Sequence, residues 1–159
     1  MQTLLASVAG LDDEMRLVVI NRFFNIRIVY ALDTVVWGVE DCWASPLEML
    51  GKGRGDCEEY VIGRYFSLLA AGTAPARLRL VYVRATPGQP GQPDHAALAH
   101  MVLAYSAALG DDLLILDNQI KSTRFGQPRA GRTWCRCRCS ASMAKACGGA
   151  STGLPKAIR

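Results

Sequence analysis

The sequence Gly-Arg-Gly-Asp-Cys-Glu-Glu-Tyr at residues 53–60 constrains the fold more than any other part of the chain. Its two glycines free the backbone, and Asp56 follows them in a position suited to cap a helix. Residues of one face then recur every three or four positions as far as Gly72, which predicts a helix with a buried side. That face comprises Tyr60, Val61, Arg64, Tyr65, Leu68 and Leu69. The pattern therefore places Cys57 in the first turn of a buried helix.

A cysteine in this position is a candidate nucleophile. Unpaired backbone N–H groups and the helix dipole favour an anion at a helix start, so we expect the pKa of the Cys57 thiol to be lowered there. Taken alone, a cysteine in a helix is more often a small buried hydrophobic residue. A catalytic cysteine also needs a base and a group that orients the base.

The remaining patterns predict an α+β fold in which this helix packs on an antiparallel sheet. A helix is expected from Leu11, with Met15, Val18, Val19 and Phe23 as its buried stripe. Short elements follow, namely a strand over residues 26–30 and a helix that starts at Ser45 and Pro46. Three strand-like runs come after the Cys57 helix, at residues 78–84, 99–105 and 113–117. A Pro- and Gly-rich loop at residues 86–93 separates the first two runs.

The chain contains two histidines, of which one suits a catalytic base. His95 lies in the Pro- and Gly-rich segment, whereas His100 starts a strand, so the backbone fixes the direction of its side chain. If the last two strands pair around residues 106–112, Asp117 falls nearly opposite His100, within hydrogen-bond reach. A carboxylate there would fix the tautomer of the imidazole and stabilise the imidazolium. Cys57, His100 and Asp117 are thus a candidate catalytic triad; a structural histidine and a plain turn at Asp117 are the alternatives.

Five motifs in order resemble the bacterial transglutaminase-like cysteine peptidases, and among them most closely the LapG-type periplasmic adhesin proteases. They lie at residues 37–38, 41–48, 55–59, 99–103 and 116–118, and the resemblance covers residues 10–125. It implies a papain-like fold, with Cys57 as nucleophile, His100 as general base and acid, and Asp117 as the orienting carboxylate. It also implies a Ca²⁺ site that uses Asp56 and Glu58, although Asp56 alone is equally well explained as a helix cap.

The same resemblance implies a calcium-dependent endopeptidase that cuts a large surface adhesin near its N-terminus, at an Ala-Ala-type site, and so controls biofilm release. It further implies a periplasmic location and sequestration by an inner-membrane receptor for cyclic-di-GMP. The chain as given shows no signal peptide pattern and no apolar run of membrane-spanning length. Trp37 and Trp43 are expected to line the cleft, with partial burial in the core as the competing interpretation. In two places the motifs differ from the family's pattern, with Cys42 where an aromatic residue is expected and Glu59 where Asp is expected.

Two other functions stay open. The first is a different acyl-transfer enzyme on the same fold, such as a transglutaminase or an N-acetyltransferase, because fold and triad do not determine the acceptor. The second is an inactive, truncated product.

The truncated product is suggested by a change of composition near Gly126. Residues 1–126 hold all 14 acidic residues and 11 basic ones, whereas residues 127–159 hold 7 basic residues and no acid. Four of the six cysteines, at positions 135, 137, 139 and 147, also lie in this tail. Their spacing is not that of a zinc site, and the tail offers no aromatic platform beyond Trp134 for nucleic acid. We therefore expect a peptidase domain over residues 1–125 and an irregular, disordered basic tail over residues 126–159.

A frameshift between Asp117 and Arg132 would explain this tail. Back-translation of residues 132–140 permits a shifted reading of Asp-Leu-Val-Pro-Val-Ser-Val-Phe, which has the pattern of a strand. On this hypothesis the closing strands of the family's sheet are missing, which would expose a sheet edge and part of the core. Resequencing of the gene tests it, since an intact reading frame through residue 159 would contradict it.

Overall fold

Helices come first along the chain, and the strands of the main sheet follow. A computed structural model describes residues 1–85, 98–108, 113–119 and 133–134, with the backbone alone at positions 84, 85, 98, 133 and 134. Its helices are α1 (Gln2–Val8), α2 (Asp13–Arg27), α3 (Asp33–Val36), α4 (Pro46–Lys52), α5 (Cys57–Ala70) and a 3₁₀ turn (Pro75–Arg77). Its strands are β1 (Val29–Tyr30), β2 (Arg54–Gly55), β3 (Leu78–Ala85), β4 (Leu98–Tyr105), β5 (Leu114–Leu116) and β6 (Thr133–Trp134).

The main sheet is antiparallel and has the strand order β5-β4-β3-β6. The Cys57 helix α5 packs on its central strand β4, and the α+β prediction is confirmed. A second, two-stranded sheet pairs β1 with β2 in parallel, so that Tyr30 lies beside Gly55. This small sheet fixes the chain immediately before α5.

Two predictions about α2 are wrong. The strand predicted over residues 26–30 is shorter, since the helix continues through Ile26, which is 68% exposed, and only Val29–Tyr30 forms a strand. The helix extends this far because the Ile28 N–H still donates to the carbonyl of Phe24. The buried face comprises Leu17, Ile20, Asn21 and Phe24, whereas Met15 from the predicted stripe is 47% exposed. Both faces of this helix carry apolar residues, so periodicity alone could not select the buried one. α1 was not predicted.

Asp13, at the start of α2, connects that helix to the strand that bears the candidate base. Its carboxylate accepts hydrogen bonds from Arg77 at 2.6 Å, from the hydroxyl of Tyr105 at 3.0 Å and from Thr73 at 3.0 Å. Burial alone would raise the pKa of Asp13, but these hydrogen bonds offset it and the pKa is lowered. The end of β4 is thereby anchored to α2.

Gly63 allows α5 to approach α2 and α4 closely. A Cβ atom at this position would lie 2.6 Å from the Phe24 ring and 2.8 Å from the methyl carbon of Met49, and both of these side chains are fully buried. Any larger residue must therefore displace core side chains.

Gly63→Ala is expected to lower the free energy of unfolding by about 1–3 kcal/mol, because overpacking outweighs the gain in helix propensity. Gly51→Ala is the matched control: it is also a helical glycine, but a Cβ there meets nothing within 4 Å, so a gain of about 0.5–1 kcal/mol is expected. Urea denaturation of the two variants measures both changes. Equal stability changes at the two positions would contradict the close packing at Gly63.

Several predictions fall on residues that the structure does not describe. The Pro- and Gly-rich loop at residues 86–93, His95, and all of the tail except residues 133–134 lie outside the described residues. Residues 133–134 form a short strand on the outer side of β3. The disordered tail, the frameshift and the missing closing strands therefore stay predictions. Within the described residues, no helix is both long and apolar enough to cross a bilayer.

Candidate active site

Cys57 begins α5, as the sequence predicts. Asp56 caps the helix: its side chain accepts from the Glu58 N–H at 3.2 Å, while the Asp56 N–H donates to Oε2 of Glu59 at 3.0 Å. Gly55 is required just before the cap, because a Cβ there would lie 2.9 Å from the Cβ of Glu59. The backbone at Cys57 is thus fixed by the cap and by the β1–β2 pair that precedes it, and Cys57 is only 8% exposed.

His100 lies on β4 and Asp117 lies just after β5, and their side chains are in direct contact. Nε2 of His100 is 2.9 Å from Oδ1 of Asp117, and both residues are 2% exposed. A carboxylate that accepts the Nε2 proton leaves Nδ1 of the neutral ring as the basic nitrogen. On that side the amide nitrogen of Gln119 approaches Nδ1 at 3.5 Å.

The strand register differs slightly from the expected one. Leu103 pairs with Leu116, so continuation of the ladder would place Gln119, not Asp117, opposite His100. Asp117 reaches the ring diagonally from a bend beyond the end of β5, where the Gln119 N–H donates to its Oδ1 at 2.9 Å. The contact that the sequence predicted is present, but a turn supplies it and not a directly opposed pair.

The sulfur of Cys57 lies beside the strand that carries His100. The backbone N–H of Met101, the residue after His100, hydrogen-bonds to it and favours the thiolate. The helix start with the nucleophile and the strand with the base therefore meet at one point, with Asp117 behind the imidazole.

The expectation of a lowered thiol pKa is wrong for the described residues. Burial raises the pKa of Cys57, and the negative charges of Glu58 and Asp56 raise it further. The thiol donates to Oε2 of Glu58 at 2.8 Å, which also holds the proton on sulfur. These effects outweigh the helix start and the Met101 N–H.

Two overlapping groups of acidic side chains lie at this helix start and could hold a cation. Asp56, Cys57 and Glu58 form one group, and Asp33, Asp56 and Glu59 form the other; within each group the possible ligand atoms lie within 4.8 Å of one another. No Lys or Arg in the described part of the chain forms a salt bridge with any of these carboxylates. Burial raises the pKa of Asp56 and that of Glu59 to about 7.

The donor set fits the calcium ion that the family resemblance implies. Carboxylate oxygens are the hard donors that Ca²⁺ takes, and Oδ1 of Asp33, a residue only 4% exposed, has no hydrogen-bond partner in the part of the chain that the structure describes. A cation near Asp56 would offset a concentration of buried negative charge with which no Lys or Arg of the described residues forms a salt bridge.

Asp33 and Glu59 also support the segment that precedes α4, and the sequence did not identify either function. Asp33 accepts from the Cys42 N–H, and Glu59 accepts from the Ala44 N–H at 3.0 Å. The pKa of Asp33 is raised, mainly because its side chain is buried. No sequence pattern connects Asp33 with Glu59, which lies 26 positions later. The only sequence signal for either residue was the position of Glu59 in the first turn of a buried helix.

The two tryptophans predicted to line a cleft are partly buried. Trp43 packs against the hydrophobic core, and Trp37 ends α3 with the Lys52 ammonium 5.2 Å from its ring centre. Their contact with a substrate stays a prediction. Tyr30, which the sequence marked only as a strand residue, lies beside Gly55, and its pKa is raised first by burial and then by the charge of Cys57.

A buried thiol at a helix start, beside a histidine–aspartate pair on an antiparallel sheet, is the arrangement of a papain-like cysteine hydrolase. Comparison with known families agrees with this class: the model of the bacterial transglutaminase-like cysteine proteinases matches residues 7–142, and the chain belongs to that family. No curated protein sequence matches the chain significantly.

Among solved structures, the fold is similar to LapG of Legionella pneumophila. One LapG structure matches with a TM-score of 0.63 and 31% identity over 76% of this chain. A calcium-bound LapG structure matches with a TM-score of 0.69 and 29% identity over 83% of this chain and 68% of its own. An EGTA-treated LapG structure matches with a TM-score of 0.63 and 31% identity, again over 76% of this chain. The chain spans 61% of the length of the first of these LapG chains.

Proposed function

We propose that the protein is a cysteine endopeptidase that uses Cys57 as nucleophile, His100 as general base and acid, and Asp117 as the orienting carboxylate. The observation that carries this proposal is the 2.9 Å contact between the buried His100 ring and Asp117, next to the helix start that bears Cys57. Membership in the cysteine proteinase family supports it.

The proposed reaction proceeds through a thioester. Nδ1 of His100 accepts the thiol proton as Sγ of Cys57 bonds to the carbonyl carbon of the scissile peptide. The imidazolium then gives this proton to the departing amine, and the C–N bond breaks. A water molecule, deprotonated by His100, attacks the thioester, so the acid product leaves and the thiol is restored. Asp117 stabilises the imidazolium in both halves.

We further propose that the peptidase is calcium-dependent and that Asp56 and Glu58 hold the ion. Bound there, Ca²⁺ would supply positive charge next to a thiol whose pKa these two carboxylates raise. The calcium-bound LapG structure and the charge cluster around Asp56 support this proposal.

The proposed substrate is a large surface adhesin, cut near its N-terminus at an Ala-Ala-type site, with biofilm release as the outcome. The proposed location is the periplasm, and the proposed partner is an inner-membrane receptor for cyclic-di-GMP that sequesters the protease. Similarity to LapG supports these assignments.

Peptide cleavage tests the reaction and its acceptor. A peptide with a central Ala-Ala bond is incubated with the protein in calcium and, separately, in EGTA, and the products are analysed by mass spectrometry. We expect cleavage at that bond in calcium and a large loss of cleavage in EGTA. Transfer of the acyl group to an added amine, with no hydrolysis, would instead indicate a transglutaminase-like enzyme.

Calcium is expected to stabilise the protein more at pH 8 than at pH 5.5. The pKa values of Asp56 and Glu59, about 7 in the folded state, exceed the ordinary value for a carboxyl group, about 4. The stability that their protonated forms confer is therefore present at low pH and lost as the pH rises through about 7. On the proposal, calcium binds Asp56 in its ionised form, and 100-fold excess of calcium over Kd adds about 2.7 kcal/mol to the free energy of unfolding.

Thermal unfolding in calcium and in EGTA at the two pH values measures this difference. Asp56→Asn/Glu58→Gln is the matched variant, in which we expect the calcium effect to disappear. If calcium raised the unfolding temperature equally at both pH values, or still raised it in the double variant, any calcium site would lie elsewhere.

A further inference from the structure

Arg64 is a fully buried cation on the nucleophile helix. It lies seven residues after Cys57, two turns along α5, and it is 0% exposed. Its guanidinium lies 5.2 Å from the centre of the Tyr60 ring. A charge removed from water in this way is costly unless an anion or hydrogen bonds compensate for it.

Few groups in the described residues compensate for this charge. Nη2 of Arg64 donates to Oδ1 of Asn25 at 2.5 Å, whereas its Nε and Nη1 atoms have no hydrogen-bond partner among the described residues. Asn25 in turn directs its amide nitrogen to the backbone carbonyl of Asp117, at 3.4 Å. One amide side chain therefore links the guanidinium to the bend that carries the triad carboxylate.

The charge of Asp117 acts on Arg64 directly. Burial lowers the pKa of Arg64 to about 10. Electrostatic interaction with Asp117, and to a smaller extent with Tyr60, opposes this lowering. Arg64 thus stays protonated at neutral pH. No other titratable group acts on Arg64 among the described residues, and the described side chains that contact the imidazole of His100 are those of Asp117 and Gln119.

Asp117 lies beyond the last paired residue of β5, Leu116, and reaches His100 diagonally. Its position therefore depends on contacts of the bend. Two of these contacts are the Gln119 N–H, which donates to its side chain, and the Asn25 amide, which approaches its backbone carbonyl.

We propose that Arg64 is a positioning residue for the triad: its buried positive charge keeps Asp117 ionised and, through Asn25, fixes the bend that presents Asp117 to His100. On this proposal α5 contributes to the triad at two points: Cys57 lies in its first turn, and Arg64, two turns later, positions Asp117. The kinetic consequences of this inference rest on the proposed peptidase activity. Its electrostatic consequences do not.

Arg64→Met and Arg64→Lys test the proposal in the calcium-loaded protein. Methionine fills similar space without charge, so Asp117 should become easier to protonate. We expect kcat for the Ala-Ala peptide to fall about tenfold or more at pH 7, with KM little changed, and the acid limb of the pH–rate profile to move up by about one pH unit. Arg64→Lys keeps the charge and should restore most of kcat and the position of the acid limb. Arg79→Met, at an exposed arginine on β3, is the control and should match the wild type.

A second readout does not depend on activity. The ¹³C signal of the Asp117 carboxyl group, assigned with Asp117→Asn, should titrate about one pH unit higher in Arg64→Met than in the wild type. If the wild type cleaves no peptide, the proposed function fails while this titration still decides the function of Arg64. Should Arg64→Met fail to fold, Asn25→Leu replaces it and is expected to reduce kcat and raise the same midpoint. An unmoved midpoint in a folded variant, or an Arg64→Lys protein with the full defect, would overturn the proposal.

Discussion

Cys57→Ala is expected to lower kcat for peptide hydrolysis by about 10⁴-fold or more, with almost no change in the unfolding temperature. The alanine removes the only atom that can form the thioester, whereas the surrounding cap and strands remain. Because Cys57 is small and its neutral thiol donates one hydrogen bond, to Glu58, the loss of sulfur leaves only a small cavity and removes that hydrogen bond. Single-turnover hydrolysis of the Ala-Ala peptide and thermal unfolding measure the two quantities.

Phe66→Ala is the matched control on the same helix. Phe66 is 48% exposed, so its removal should leave kcat within about twofold. Alkylation by iodoacetamide at neutral pH, located by mass spectrometry, should modify Cys57 in the wild type, and His100→Ala should slow that reaction. Substantial hydrolysis by Cys57→Ala, above about one hundredth of the wild-type rate, would remove this residue from the reaction.

The second large effect is expected for Asp117→Asn, which should lower kcat by about 10²- to 10⁴-fold. The new amide would donate to Nε2 of His100, whereas the carboxylate accepts the proton of that nitrogen. The ring proton would then move to Nδ1, the nitrogen that must accept the thiol proton. The substitution therefore inverts the tautomer of the base while it preserves the shape of the site.

Asp13→Asn makes the same chemical change at another partly buried carboxylate and separates catalysis from stability. Asp13 accepts side-chain hydrogen bonds from four described residues, Arg16, Thr73, Arg77 and Tyr105, so its amide variant should unfold more easily and keep the wild-type kcat. Steady-state kinetics and urea denaturation of both variants provide the comparison. Equal kcat values for Asp117→Asn and the wild type would show that the aspartate does not orient the base.

The sequence predicted the positions of Cys57 and His100 in the fold because local rules determine them. A glycine pair, a capping Asp and a periodic face place Cys57 at a helix start, and strand alternation gives His100 a fixed direction. The meeting of His100 with Asp117 followed from a short hairpin. It occurs diagonally, since β5 ends at Leu116 and a bend carries the aspartate.

What the sequence could not predict depends on contacts between distant segments. Asp33 supports the backbone at Cys42, and Asn25 connects α2 with the bend at Asp117. Arg64 was correctly placed on the buried face of α5, but its neighbour Asp117 is 53 residues away. The buried face of α2 was misjudged because Met15 and Leu17 are both apolar, and only packing against α5 distinguishes them.

The thiol pKa shows why a local rule can fail when its surroundings are charged. A helix start favours an anion by at most a few kcal/mol, whereas burial and two adjacent carboxylates oppose it. The same acids that make the site suitable for calcium make the calcium-free thiol hard to ionise.

The close approach of Gly55 to Glu59 restricts protein engineering at this site. Randomised libraries aimed at new cleavage preferences should hold position 55 as glycine, since a methyl group there would collide with the helix cap. Arg54 is solvent-exposed in the adjoining position and tolerates diversification. Variation directed to Arg54 and to the exposed side chain of Tyr30 would alter the approach to the nucleophile without disturbing the turn that presents it.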